Sequence, residues 1–151
     1  NLEPSELGAA FGLVQLKKLK TNLRKREINF NLHTKYLKKY SKYFILPRQL
    51  PQSKSGWLAY PITITENAPF SRTQMQIFLE KKNIQTRVVF TGNILRQPGF
   101  KNIKAKIAKN GYPEADKVMK NGILIACHHG LTKKMISHIH NSIDEFLLQY
   151  N

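Results

Sequence analysis

The chain has 151 residues, enough for one domain with a core, and its 25 Lys and Arg against 9 Asp and Glu give a formal net charge of +16. A hydrophobic fraction of 41% arranged in periodic segments excludes a disordered basic tail, and Lys, Arg or Asn interrupts every apolar run well short of the roughly 20 residues a membrane-spanning helix needs. The lone Cys127 excludes an intrachain disulfide and a metal site built on several thiolates of this chain, and it fits a reducing, cytoplasmic compartment.

Residue 1 is Asn rather than Met, and Asn1–Ala10 is neither a signal nor a transit peptide, so the sequence reads as a piece of a longer product. From residue 5 to about 45 it reads as helix: Leu16, Leu23, Phe30, Leu37 and Phe44 recur every seven positions, with Leu19 and Tyr40 in a second row that Arg26 and His33 interrupt. Such a stripe predicts an arm, residues 1–46, that lies on a partner surface rather than inside a core. Ser5 is a candidate N-cap, and Gly8 and Gly12 strip one face for a close helix crossing.

Pro47 and Pro51 end the helical region, and residues 47–151 form the second unit. Trp57–Thr65 alternates as a strand with Leu58, Tyr60, Ile62 and Ile64 on one face, and Pro61 requires an edge or a non-bonding position. Ser71 and Gln74 fit a capping box for a helix to about Lys82, and Ile84–Phe90 alternates as the next strand. Asn102–Asn110 is basic and irregular, Pro113–Asn121 reads as a short helix, and Gly122–Cys127 as an apolar strand. Thr132 can cap a last helix whose Ile136, Ile139, Ile143, Phe146 and Tyr150 share a face. The predicted class is α/β (α+β), with about three strands packed against helices and a long N-terminal helical arm.

Residues 17–42 hold ten Lys or Arg and one acid, Glu27, with Tyr36, Tyr40 and Tyr43 interleaved, a pattern that could bind nucleic acid. No helix-turn-helix, zinc-finger or RNA-recognition signature accompanies it, and the plainer reading is a solvated helix face. Cys127-His128-His129 raises a nucleophile or metal reading, but adjacent residues at a strand end point to opposite sides; a buried cysteine beside two loop histidines is simpler. His138 and His140, two apart on a helix, face different ways. Thr86–Pro98 is the least generic stretch: a strand ends in Gly92-Asn93 and then offers Arg96 and Gln97, which can fork onto phosphate or sugar oxygens.

Together with Asn1–Leu19, Ser55–Pro61 and Gly130–Thr132, that stretch resembles the C-terminal part of the DegT/DnrJ/EryC1/StrS family of pyridoxal-phosphate-dependent nucleotide-sugar enzymes along the whole chain. Thr86-Arg87 through Gly92-Asn93 and Arg96-Gln97-Pro98 are most similar to its 3-dehydrases, such as those acting on CDP-4-keto-6-deoxyglucose; sugar aminotransferases of the family are the alternative. The resemblance implies the small C-terminal domain of fold type I, with the helix that joins it to a large domain, in an enzyme of deoxysugar and lipopolysaccharide biosynthesis. It implies pyridoxal or pyridoxamine phosphate as cofactor of the intact enzyme, a nucleotide-sugar substrate and a homodimer through the helical arm. It places Asn1 at the cofactor phosphate of the neighbouring subunit and makes Asn93, Arg96, Gln97, Lys117, His128 and His129 candidates for substrate binding. Lys117 stands where the dehydrases carry Arg after Asp, which keeps the charge but loses the planar fork. The family's deciding lysine or histidine has no counterpart in this chain, so no catalytic residue is expected and the isolated piece should be inactive.

Overall fold

The computed structural model describes Glu3 and residues 5–150; Asn1, the expected phosphate contact, lies outside the described residues. Helix α1 spans Glu6–Leu37 and tightens into a 3-10 turn at Lys38–Tyr40. The remaining elements are β1 (Phe44–Ile45), β2 (Ala59–Ile64), α2 (Arg72–Lys81), β3 (Arg87–Val88), α3 (Pro113–Asn121), β4 (Gly122–Ala126) and α4 (Lys133–Leu147).

The sheet is antiparallel throughout, in the order β1-β2-β4-β3. It has four strands where about three were expected, because the helix periodicity stops at Leu37 and Phe44–Ile45 pairs with Ile64 and Thr63 instead of continuing the arm. β1 reaches only those two residues, so Pro61, opposite Leu124 of β4, lies where β2 is paired on one side only. Its missing N–H therefore breaks no ladder bond.

Tyr60, Ile62, Ile64, Ile123 and Ile125 point from one face of the sheet into a core closed by α1, α2 and α4. α4 delivers Ile139, Ile143 and Phe146 to it, at about 1.5–3 kcal/mol for each fully buried side chain. Leu58, expected on the same face as Tyr60, is exposed. Both α2 and α4 start as their sequences require: Ser71 and Gln74 form the reciprocal capping box, and Thr132 Oγ1 accepts from the Met135 N–H at 3.2 Å. Ser5 precedes α1 in an extended conformation but makes no side-chain cap.

Two expectations need correction. The arm does not lie wholly outside the core: Phe30, His33 and Leu37 are buried in it, and Phe30 stacks on Trp57 at 4.3 Å between centroids. Only the N-terminal half of α1 projects, with Leu7, Phe11, Leu16 and Leu19 exposed. The strand expected over Ile84–Phe90 shrinks to Arg87–Val88; just before it, Glu80 Oε1 accepts the Thr86 N–H at 2.6 Å and the Thr86 hydroxyl at 2.9 Å. The Glu80 carboxylate thus ties Thr86 to α2, and residues 84–86 lie outside the sheet.

Candidate functional site

Beyond β3 the chain turns sharply. The Phe90 N–H donates to Val88 O at 3.0 Å and the Gly92 N–H to Val89 O at 3.1 Å, with φ of 43° at Phe90 and 62° at Gly92. Gly92 lies so close to α3 that a Cβ there would stand 2.2 Å from Met119 Cβ; no other residue fits that position.

Asn93 follows, buried, and its side chain works in two directions. Its Oδ1 accepts from the Leu95 N–H at 3.1 Å, capping the 3-10 turn Ile94–Arg96, while its Nδ2 donates to Asp116 Oδ1 on α3 at 2.9 Å. Arg96 closes on the same carboxylate with both prongs, Nε to Oδ1 at 3.0 Å and Nη2 to Oδ2 at 2.9 Å. Hydrogen bonds from Arg96, then Asn93, hold the Asp116 carboxyl below the usual carboxylate range, and the same bond raises the Arg96 guanidinium. Gln97 Nε2 donates to Thr91 O at 2.9 Å. Three substrate-binding candidates therefore come together with Asp116, but their polar groups engage one another and fix the turn. Lys117, next along α3, is half-buried.

His128 and His129 lie at the other end of the sheet. They follow the C-terminal end of β4, whereas the turn adjoins its N-terminal end, and five residues of strand separate the two by roughly 17 Å. The two histidines therefore do not share one loop cluster with Asn93 and Arg96. Asn29 Nδ2 donates to His128 O at 2.8 Å, and Arg26 reaches Gly56 O at 3.2 Å and His129 Nδ1 at 3.4 Å, so this loop docks on α1. His128 also borders a cavity of about 730 Å³ walled by Leu58, Leu124, Leu131 and Met135, with Arg87 at its edge.

Cys127 is fully buried, and burial pushes its thiol up to about 12, so it stays protonated and supplies no nucleophile. Among the described residues no group of three His, Cys, Asp or Glu could hold a metal ion, and no helix is long and apolar enough to cross a membrane.

A buried polar cluster joins α1 to α4 that no sequence motif announces. His33 Nε2 donates to Ala126 O at 3.0 Å, so its Nδ1 accepts from His140 Nε2, also at 3.0 Å. His140 stacks on Tyr36, and the Tyr36 and Tyr40 hydroxyls both donate to Asp144, which also meets Lys39 at 3.1 Å. Burial lowers both imidazoles to about 4. No local pattern marks this pair, whose members stand 107 residues apart; the sequence offers only His33 interrupting, together with Arg26, the second row of α1.

The family described as the DegT/DnrJ/EryC1/StrS aminotransferase family matches residues 1–144. The lipopolysaccharide biosynthesis protein RfbH of Salmonella typhimurium is 30% identical over 146 residues, 97% of this chain and 33% of that protein. A dTDP-4-dehydro-2,6-dideoxy-D-glucose 3-dehydratase of Saccharopolyspora spinosa is 33% identical over 147 residues, 97% of this chain and 31% of that protein. The chain thus spans about a third of the length of these curated relatives. In fold it is similar to an Escherichia coli GDP-4-keto-6-deoxy-D-mannose-3-dehydratase solved with bound hydrated PLP, with a TM-score of 0.83 at 24% identity over 94% of this chain and 36% of that one.

Proposed function

Because the chain belongs to the DegT/DnrJ/EryC1/StrS aminotransferase family, we propose that it is the C-terminal part of a longer pyridoxal-phosphate-dependent enzyme acting on nucleotide-linked hexoses. The reaction we assign to the intact enzyme is 3-dehydration of a nucleotide-linked 4-keto-6-deoxyhexose, in deoxysugar or lipopolysaccharide biosynthesis. Transamination of a related keto sugar is the second reading, favoured by the family's description as aminotransferases.

The observation that carries the proposal is the locked turn. The residues that resemble the 3-dehydrases, Gly92-Asn93 and Arg96-Gln97, are the ones bound together against Asp116 and Thr91. Their role in this reading is to hold the turn rigid at a strand end, where α/β domains place ligand-contacting loops. Substrate contact then falls to what the turn presents, Phe90 and the backbone beside it, and to Lys117 on α3.

Pyridoxal or pyridoxamine phosphate is the proposed cofactor, but the described residues do not fit it by themselves. Asp116 and Asp144, the best placed carboxylates, are already held by Arg96 and by Tyr36, Tyr40 and Lys39, and no described lysine is buried. No chemical step is therefore assigned to this chain. Its work is to shape the sugar-facing side and, through the exposed Leu7, Phe11, Leu16 and Leu19 of α1, to join the rest of the enzyme and its dimer partner. Asn1 at the neighbouring subunit's phosphate, and His128 and His129 as outer contacts, belong to the same proposal.

The test is the intact protein incubated with pyridoxamine phosphate, glutamate and a nucleotide-linked 4-keto-6-deoxyhexose. Loss of one water from the sugar, by mass spectrometry, supports dehydration. Conversion of glutamate to 2-oxoglutarate with an amino sugar as product would replace it by transamination, and no turnover of any nucleotide sugar would refute both.

A further inference from the structure

Phe90 is an outlier twice over. An aromatic residue at φ 43° occupies a region that L side chains with a Cβ rarely adopt, and its side chain gains no burial in return, being 88% exposed. The conformation is imposed from both sides. The Phe90 N–H is tied back to Val88 O, and two residues later Gly92 is pressed on Met119 while Asn93 and Arg96 are clamped to Asp116. Strain that the surroundings over-determine, at a position where burial does not reward it, is characteristic of groups held for a ligand.

We propose that Phe90 faces the ligand and stacks on the base of the nucleotide-linked substrate. This rests on the nucleotide-sugar reading above and names the residue that would recognise the nucleotide end. Two features select that ligand chemistry. Among the described residues Phe90 makes no ring-to-ring contact, so its faces are open to a planar group. The connection that carries it is acid-free: from Arg87 to Lys109 there are no Asp or Glu and six Lys or Arg, five of them besides Arg96, which Asp116 already holds. A planar base attached to a diphosphate satisfies both the ring and the cations, whereas an apolar protein segment would satisfy only the ring. The rigid anchor matters too, because a ring that is already held out loses little freedom on stacking.

The experiment titrates dTDP, GDP and CDP by calorimetry into the full-length native protein and into its Phe90→Ala and Phe90→Tyr variants. Removing a stacking ring should weaken the tightest of the three by roughly 5- to 150-fold, while tyrosine stays within about 2-fold of wild type. Melting temperatures should be unchanged, since the ring is exposed. Equal binding by the alanine variant would overturn the proposal. So would a lowered melting temperature with unchanged nucleotide binding, which would show the ring covered by protein. If the wild type binds none of the three diphosphates, Phe90 loses its ligand; the turnover assay above then tells whether the nucleotide-sugar reading falls with it.

Discussion

Lowering the pH should unlock the seam between α1 and α4. In the neutral pair, His33 donates from Nε2 to Ala126 O and accepts at Nδ1 from His140. A proton added to His33 sets two N–H groups head to head at 3.0 Å, and one added to His140 is desolvated against Tyr36 and meets Lys39 nearby, with Asp144 as the opposing charge. Both folded values lie at about 4 against 6.5 for a free imidazole. A depressed histidine is fully stabilising above pH 6.5, and that contribution is lost as pH falls from 6.5 toward 4, because the unfolded chain takes up the protons first. Linkage gives about 2 kcal/mol for one ring at pH 5 relative to pH 8, and up to about 4 kcal/mol for the pair. Asp144 does not confuse this window. Its carboxyl loses solvation on burial, but bonds from Tyr36, Tyr40 and Lys39 more than offset that and hold it below its ordinary 3.8, so its contribution fades only in stronger acid. Urea titrations at pH 8 and pH 5 measure the loss directly. His140→Gln keeps an amide donor for His33 and should roughly halve the pH dependence. A stability at pH 5 within about 0.5 kcal/mol of that at pH 8, or an unaltered pH dependence in the variant, would mean that this histidine pair is not buried and neutral in the fold.

Three further outcomes are expected. Gly92→Ala places a Cβ 2.2 Å from Met119 Cβ at φ 62°, and should cost about 2 kcal/mol or more in a chemical melt; a cost below about 0.5 kcal/mol would mean the turn is not pinned on α3. Asp116→Ala strands the buried Asn93 amide and should cost about 1–3 kcal/mol, whereas Arg96→Ala removes only an exposed pairing and should cost less than about 1 kcal/mol; the reverse order would contradict the assigned geometry. The 151-residue chain alone should self-associate through Leu7, Phe11, Leu16 and Leu19, and sedimentation showing a monomer at high concentration would count against that.

What was legible in the sequence is what local chemistry decides. Ser71 with Gln74, Thr132, and the alternation of Tyr60, Ile62 and Ile64 each state their structure within a few residues, and each formed as expected. What was hidden depended on distant partners. Glu80 ties Thr86 to α2 beside a strand only two residues long, a contact that the alternation of Ile84, Thr86 and Val88 does not reveal. His33 looked like one of two breaks in the second helix row until His140 supplied its partner. Arg96 looked free to grip a ligand, yet Asp116, twenty residues on, already occupies its fork. Phe90 fell on the expected strand face, and only the backbone twist and its exposure set it apart.

The most direct test of the central claim is borohydride reduction of the intact native protein loaded with pyridoxal phosphate, followed by peptide mapping. The protein should retain the cofactor, and no lysine of these 151 residues should carry a pyridoxyl label: the 3-dehydrase reading gives no labelled lysine at all, and the aminotransferase reading gives one outside this region. A label on a lysine of this chain, or no cofactor binding, would contradict the central claim.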